Sequence, residues 1–158
     1  MNQHQTQRRQ VLRAGGGLAV LGALAAAGIV LPRQALAEWN KQAFDAKTLD
    51  DAMKAMGAEA PANSGDVQIV ASDIAENGAV VPVQAVSKLP KTEKIAILVE
   101  KNPSMLAASF DLGPETLPEV TARIKMGQTS NVIVVVKADG KFYMASKEIK
   151  VTLGGCGG

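Results

Sequence analysis

From residue 66 to residue 153 the chain reads as short runs of β-branched and apolar side chains divided by turn residues, a pattern of strands rather than helices. Val67-Gln68-Ile69-Val70-Ala71 predicts a first strand, and Glu76-Asn77-Gly78 predicts the turn after it. Ala79–Val86 predicts a second; Pro82 has no amide to give to a ladder, which places this strand at a sheet edge. Ile95–Glu100 and Met105–Phe110 flank the Asn102-Pro103 turn, and Gly113–Pro118 leads into Val120–Met126. Gly127–Ser130 connects to Val132–Lys137, Asp139-Gly140 is a hairpin signal before Phe142–Ala145, and Ile149–Leu153 is the last run. Seven or eight short strands with frequent turns predict an all-β, immunoglobulin-like β-sandwich over residues 66–153.

Ahead of the strands the spacing is helical. Thr48 is placed to cap a short helix whose third position is Asp51, Leu49, Ala52, Met53 and Met56 share one face, and Gly57 stops it. Trp39, Ala43 and Phe44 predict another turn or two, so residues 38–57 form an N-terminal helical segment, and Ala58–Gly65 reads as a linker.

The first 37 residues are of another kind. Arg8-Arg9-Gln10-Val11-Leu12-Arg13 opens a weakly apolar Ala- and Gly-rich stretch, and Ala35-Leu36-Ala37 is a small-residue cleavage site. This is the layout of a twin-arginine signal peptide, with Arg8 and Arg9 as its export signal, Gln7 standing where Ser or Thr is usual and Val11 where Phe is common. The expectation is export to the periplasm and a mature chain starting at Glu38. About 20 apolar residues can span a bilayer, but the cleavage site favours removal, so no stable membrane anchor is expected.

Removal of residues 1–37 changes the charge. It takes four of the 17 Lys and Arg and no acid, leaving 13 basic against 15 acidic residues. Nucleic-acid binding rests on clustered basic side chains that neutralise phosphates, so that function class loses its support. His4, the only histidine, leaves as well. A mature chain with no histidine and one cysteine has no Ser-His-Asp or Cys-His unit and lacks the usual zinc ligand sets, so no catalytic residue and no metal site are expected.

Cys156 stands in Gly154-Gly155-Cys156-Gly157-Gly158, the end of the chain. Glycine adopts left- and right-handed backbone with nearly equal ease, so these four glycines predict a thin, flexible arm of residues 154–158 that reaches roughly 17 Å when extended. A frayed terminus without function is the plainer reading. An unpaired thiol in an oxidising compartment instead implies intermolecular pairing or a thiol kept for chemistry. Nothing beside Cys156 depresses its pKa from about 8.5, and the terminal carboxylate two residues on opposes a second negative charge, so activation is expected from whatever enzyme receives the arm.

Other constellations carry less. Asp50-Asp51 fits a capped helical turn better than a pair of catalytic acids. Met53, Met56, Met105, Met126 and Met144 are scattered and read as core filling rather than a copper site. Arg123 and Lys125 alternate with Ile124 and Met126 as on an outward strand face. Five mature aromatics give a modest core, and a partner subunit would add burial and cover sheet edges.

The tail Val151-Thr152-Leu153-Gly154-Gly155-Cys156-Gly157-Gly158 resembles that of the SoxY family of thiosulfate-oxidation proteins. Ile74-Ala75-Glu76-Asn77-Gly78, Val81-Pro82-Val83, Glu100-Lys101-Asn102-Pro103 and Arg123-Ile124-Lys125-Met126 resemble that family's segments, so the likeness covers nearly the whole mature chain. The resemblance implies a non-catalytic carrier that pairs with a second β-sandwich subunit, SoxZ, and has no cofactor beyond sulfur held covalently on Cys156. It further implies three transient partners: a haem-containing enzyme that joins thiosulfate to the thiol, a hydrolase that releases sulfate, and a sulfane dehydrogenase that oxidises the persulfide left behind. Two rival readings stay open. Gly157-Gly158 matches the end of ubiquitin-like sulfur carriers, against which the export signal argues, and a periplasmic structural or redox protein could use Cys156 for an intermolecular disulfide or a soft-metal site.

Overall fold

The structure is a computed structural model that describes residues 40–152; the signal stretch with Arg8 and Arg9, Trp39, and the tail from Leu153 with Gly154, Gly155, Cys156, Gly157 and Gly158 lie outside the described residues. Two short helices come first, α1 (Lys41–Asp45) and α2 (Leu49–Ala55). Nine strands follow: β1 (Ala62–Asn63), β2 (Val67–Val70), β3 (Ile74–Ala75), β4 (Val81–Ser87), β5 (Thr92–Val99), β6 (Leu106–Asp111), β7 (Glu119–Ile124), β8 (Ser130–Ala138) and β9 (Lys141–Val151). One sheet has the order β1-β9-β8-β5-β6 with β3 added beside β9, and the other has the order β2-β4-β7. The architecture is an all-β, immunoglobulin-like sandwich.

The central strands β5 and β8 are apolar on both faces because both faces are covered. Ile95, Ile97, Val99, Val132, Val134 and Val136 point between the sheets, against Val81, Val83 and Ala85 of β4. Ala96, Leu98, Ile133 and Val135 point the other way, into a second cluster with Ala43, Ala52 and Met53 of the helices. The described residues are therefore layered helix, sheet, sheet, and β5 and β8 read as continuous hydrophobic runs rather than alternating ones.

The helices are set by local chemistry. Thr48 caps α2: its hydroxyl accepts from the Asp51 amide at 3.1 Å and donates to the Asp51 carboxylate at 2.6 Å. Gly57, at φ +72°, takes the left-handed conformation that ends the helix. Asn40 caps α1, accepting from Ala43 N at 3.1 Å, and its amide group donates to Ala55 O at 2.7 Å, which ties the two helices together. The hairpin signal at Asp139-Gly140 is a two-residue turn with both residues at positive φ, 49° and 74°, joining β8 to β9.

Three expectations need correction. The stretch Ala58–Gly65 is not a plain linker, because β1 within it pairs in parallel with Tyr143 and Met144, and Ser64 N donates to Met144 O at 3.0 Å. The two final strands are one: β9 runs unbroken through the polar Ser146-Lys147-Glu148 because Lys147 is satisfied by Ala71 and Asp73 at the sheet margin. Pro82 lies in β4, the central strand of its sheet, not an edge strand. It is tolerated because β2 ends with Val70 opposite Gln84, two residues short of Pro82, so the missing amide leaves no neighbour unsatisfied.

Candidate functional site

The described chain ends at Thr152, four residues before Cys156, and the fold fixes that exit point from several directions. β9 lies along β8 from Ala138↔Lys141 to Ser130↔Ile149, so only Lys150 and Val151 run past it. On its other side β3 adds a parallel rung, Ile74↔Lys150 and Ala75↔Val151. Lys150 N donates to Asp73 O at 2.9 Å and Thr152 N to Ala75 O at 3.1 Å. Val151 N donates to the Thr129 hydroxyl at 3.0 Å, so the last described residues are held on both sides.

Gly78 closes the corner. It is buried, its carbonyl accepts from Met126 N at 2.7 Å, and a Cβ there would stand 2.4 Å from the Met126 carbonyl oxygen and 2.8 Å from Val151 Cγ1. Only glycine lets the backbone here lie so close to both the Met126 backbone and the Val151 side chain. The turn before it is shaped by Asn77, whose side-chain oxygen accepts from Ala79 N at 2.9 Å.

The same corner collects residues far apart in sequence. Asn102 donates through its amide nitrogen to Lys125 O at 2.7 Å and accepts from Gly127 N at 3.4 Å. Lys101 N donates to the Ser130 hydroxyl at 3.0 Å, and Asn131 donates to the Glu100 carboxylate at 2.8 Å. The segments containing Ile74–Gly78, Glu100–Pro103 and Arg123–Met126, which carry the sequence resemblance, thus join around the place where the chain leaves the body, Gly78 to Met126 through backbone and Asn102 to Lys125 through its side-chain amide. Arg123 and Lys125 are exposed while Ile124 and Met126 are buried, as the alternation predicts.

One feature of this corner was invisible as function in the sequence. Lys147 stands in the row of β9 side chains that faces the sandwich, between Ala145 and Ile149; its amine donates to Ala71 O at 2.6 Å and meets the Asp73 carboxylate at 2.9 Å. The hydrogen bond and charge of Lys147, with help from the charge of Lys150, hold the Asp73 carboxyl below its ordinary pKa. The only signal was a lysine breaking an otherwise apolar row at a spacing of two.

The structure brings no catalytic constellation together among the described residues. Asp51 is occupied with the Thr48 cap. Met53, Met56 and Met144 pack in the cluster under the helices whereas Met126 is buried between the sheets, so the five methionines do not form one site. No group of three or more His, Cys, Asp or Glu able to hold a metal ion occurs among the described residues. Two clefts lie elsewhere: one of about 410 Å³ beside α2, lined by Leu49, Met53, Pro61 and Met144, and one of about 500 Å³ lined by Leu89, Leu112 and Pro118. No described helix is long and apolar enough to cross a membrane.

Comparison with known proteins agrees with this geometry. The sequence model of the family described as "Sulfur oxidation protein SoxY" matches residues 52–156. The solved structure of the sulfur carrier protein SoxY from Chlorobium limicola f thiosulfatophilum superimposes with a TM-score of 0.61 at 45% identity, covering 67% of this chain and 97% of that one. A variant of the superoxide reductase (neelaredoxin) from Ignicoccus hospitalis gives a TM-score of 0.49 at 17% identity over 66% of this chain and 93% of that one, too distant to carry an argument. No curated protein sequence matched.

Two outcomes follow from the corner. Gly78→Ala should destabilise the protein by about 1–3 kcal/mol, since the added methyl overlaps backbone that cannot yield cheaply, and should speed hydrogen exchange at the Met126 and Thr152 amides. Gly65→Ala, with nothing within 4 Å of its Cβ, is the control and should stay within about 0.5 kcal/mol of the parent; equal urea midpoints for the two variants would contradict the close packing at Gly78. Because Asp73 titrates lower folded than unfolded, its pairing with Lys147 contributes fully above the ordinary carboxylate range and is lost as pH falls through the folded value. NMR titration of the Asp73 carboxyl carbon should show a depressed midpoint that rises in Lys147→Met; a midpoint indifferent to that substitution would rule the pair out.

Proposed function

The chain belongs to the SoxY family of sulfur carriers, and we propose that it holds thiosulfate-derived sulfur covalently on Cys156 and presents it to sulfur-oxidising enzymes in the periplasm. The observation that carries this reading is that the family match runs to residue 156, so it ends on the chain's only cysteine. The fold supports it from the other side. Covalent geometry keeps Cys156 within about 14 Å of Thr152, and Thr152 is pinned to a rigid corner.

The cycle needs little from this chain besides a nucleophile and access. Thiolate sulfur and the sulfane sulfur of thiosulfate join with loss of two electrons to a haem enzyme, giving a cysteine S-thiosulfonate. Water then attacks the sulfonate sulfur in a hydrolase, releasing sulfate and two protons and leaving a persulfide. A sulfane dehydrogenase takes six electrons from the outer persulfide sulfur while three waters supply its oxygens and six protons leave, giving a cysteine S-sulfonate whose hydrolysis releases a second sulfate and restores the thiol. Membership of a sulfur-carrier family supports leaving the chemistry to the partners and the carriage to Cys156. A SoxZ-like subunit completes the carrier as a heterodimer. Export by the twin-arginine route, with Arg8 and Arg9 read by the translocase, delivers the folded chain to these enzymes.

In a system reconstituted from this chain and its partner enzymes, Cys156→Ser should abolish sulfate production from thiosulfate while leaving the urea midpoint unchanged. Mass spectrometry of the parent should place the sulfur adduct on the peptide containing Cys156; undiminished sulfate production by the serine variant would sink the proposal, and a thiol-linked dimer as the sole product would favour the structural or redox reading. Replacing Arg8 and Arg9 by lysine should leave uncleaved precursor in the cytoplasm, and unchanged recovery of mature protein from the periplasm would overturn the export route.

A further inference from the structure

β9 loses its outer neighbour and then regains it. β1 pairs with Tyr143 and Met144, β3 pairs with Lys150 and Val151, and from Ala145 to Ile149 no described strand pairs with β9 on that side. Something has to bring the chain back to β9 beyond the gap. Burial of β3 does not suffice: the strand has two residues, Ile74 is 56% exposed, and Ala75 offers only a methyl group to the core. So short a strand with so little buried surface belongs to the least stable part of a fold.

Lys147 stands in the middle of the gap, half-buried on the face of β9 turned toward the sandwich. β2 ends at Val70 in one sheet and β3 begins at Ile74 beside the other, so Ala71–Asp73 is the crossing between sheets. The Lys147 amine takes both ends of that crossing, donating to the Ala71 carbonyl at 2.6 Å and meeting the Asp73 carboxylate at 2.9 Å. Lys150 N then holds the Asp73 carbonyl at 2.9 Å, and Thr152 N donates to Ala75 O at 3.1 Å. An inward-turned lysine also guards a bare edge against other strands. Guarding needs no fixed partners, and a lysine with that task alone would extend its amine into water.

Resting on the carriage of sulfur by Cys156, we propose that Lys147 is a positioning residue for the transfers made at that thiol. It clips Ala71 and Asp73 to β9, the clip lays β3 along the strand, and β3 holds Thr152, four residues before the cysteine. A root that has left its template must be set back each time an enzyme takes the thiol, so the apparent affinity falls by the fraction of chains whose root is in place. The chemistry follows capture and is untouched.

Lys147→Met tests the clip, because methionine keeps the length and suits a row that holds Ala145 and Ile149. Hydrogen exchange of the mature chain needs neither sulfur nor enzymes: the Lys150 and Thr152 amides should exchange at least about tenfold faster than in the parent, while those of β5 and β8 keep their rates. In the reconstituted system the carrier concentration that gives half-maximal sulfate production should rise about fivefold, the value for a root in place in about one chain in five, with the maximal rate unchanged. Lys147→Arg keeps the cation and its donors and should restore both readings. Lys137→Met, which breaks the 2.7 Å ion pair with Glu93 near the Asp139-Gly140 hairpin, should alter neither. Parental exchange at Lys150 and Thr152 in Lys147→Met would overturn the clip. Faster exchange without a higher half-maximal concentration, a loss confined to the maximal rate, or an arginine variant that behaves like the methionine one would overturn the positioning role. The two levels fail separately: sulfate production that persists in Cys156→Ser sinks the carrier reading and the positioning role with it, whereas parental exchange in Lys147→Met sinks the clip alone.

Discussion

Burial of β5 and β8 on both faces is the constraint from which the rest of the structure hangs. Ile95, Ile97, Val99, Val132, Val134 and Val136 fill the space between the sheets, and Ala96, Leu98, Ile133 and Val135 fill the space under the helices. Each fully buried Val, Ile or Leu side chain is favoured by about 1.5–3 kcal/mol over its exposed state, so neither face of these strands can be surrendered cheaply. Surface ion pairs such as Lys91–Asp139, exposed on both partners and screened by solvent, contribute little by comparison. The register of β8 is therefore fixed by its hydrophobic pattern, and β9, paired with it residue by residue, inherits that register.

That inheritance is what turns a stable sandwich into a carrier body. A slip of one residue between β8 and β9 would exchange the two faces of β9, sending Ile149 and Ala145 outward and moving Val151 away from Gly78. With the register set, the end of β9 arrives beside Ala75 and Gly78 of one segment and Thr129 of another. The corner is built from backbone groups and small side chains, so it locates the exit without presenting chemistry of its own.

Much of this was legible in the sequence, and the failures have identifiable causes. The β-branched runs, the Thr48 cap, the Gly57 stop and the Asp139-Gly140 hairpin are local signals, and the fold honours all of them. The strands β1 and β3 escaped because two residues carry no periodicity; both exist only through the β9 edge they cover. Pro82 misled because a rule about edge strands was applied to the whole strand, whereas the ladder is made rung by rung and β2 stops before reaching it. Lys147 split one strand into two because its polarity is satisfied by Ala71 and Asp73, far earlier in sequence, a pairing that no window on the sequence contains. Of the site, the sequence marks the cysteine and its glycines plainly, but not the corner that holds their root.

The length of the tether is the last quantity that this corner sets. If β9 were held only as far as Lys147, nine residues rather than four would separate the anchored body from Cys156. For a flexible linker the effective concentration of its end falls roughly as the −3/2 power of length, which is about a threefold dilution. A factor that small does not by itself explain so much structure around Lys150, Val151 and Thr152. Ending the ladder is the larger effect. On one side β3 stops at Ala75 and the chain turns away through Asn77 and Gly78; on the other β8 begins only at Ser130, opposite Ile149, and Thr129 offers a hydroxyl instead of a backbone rung. Neither neighbouring strand extends a template past Thr152, and the glycines that follow are poor strand formers. The corner thus holds β9 to its last rung and withdraws the partners that would let pairing spread toward the thiol.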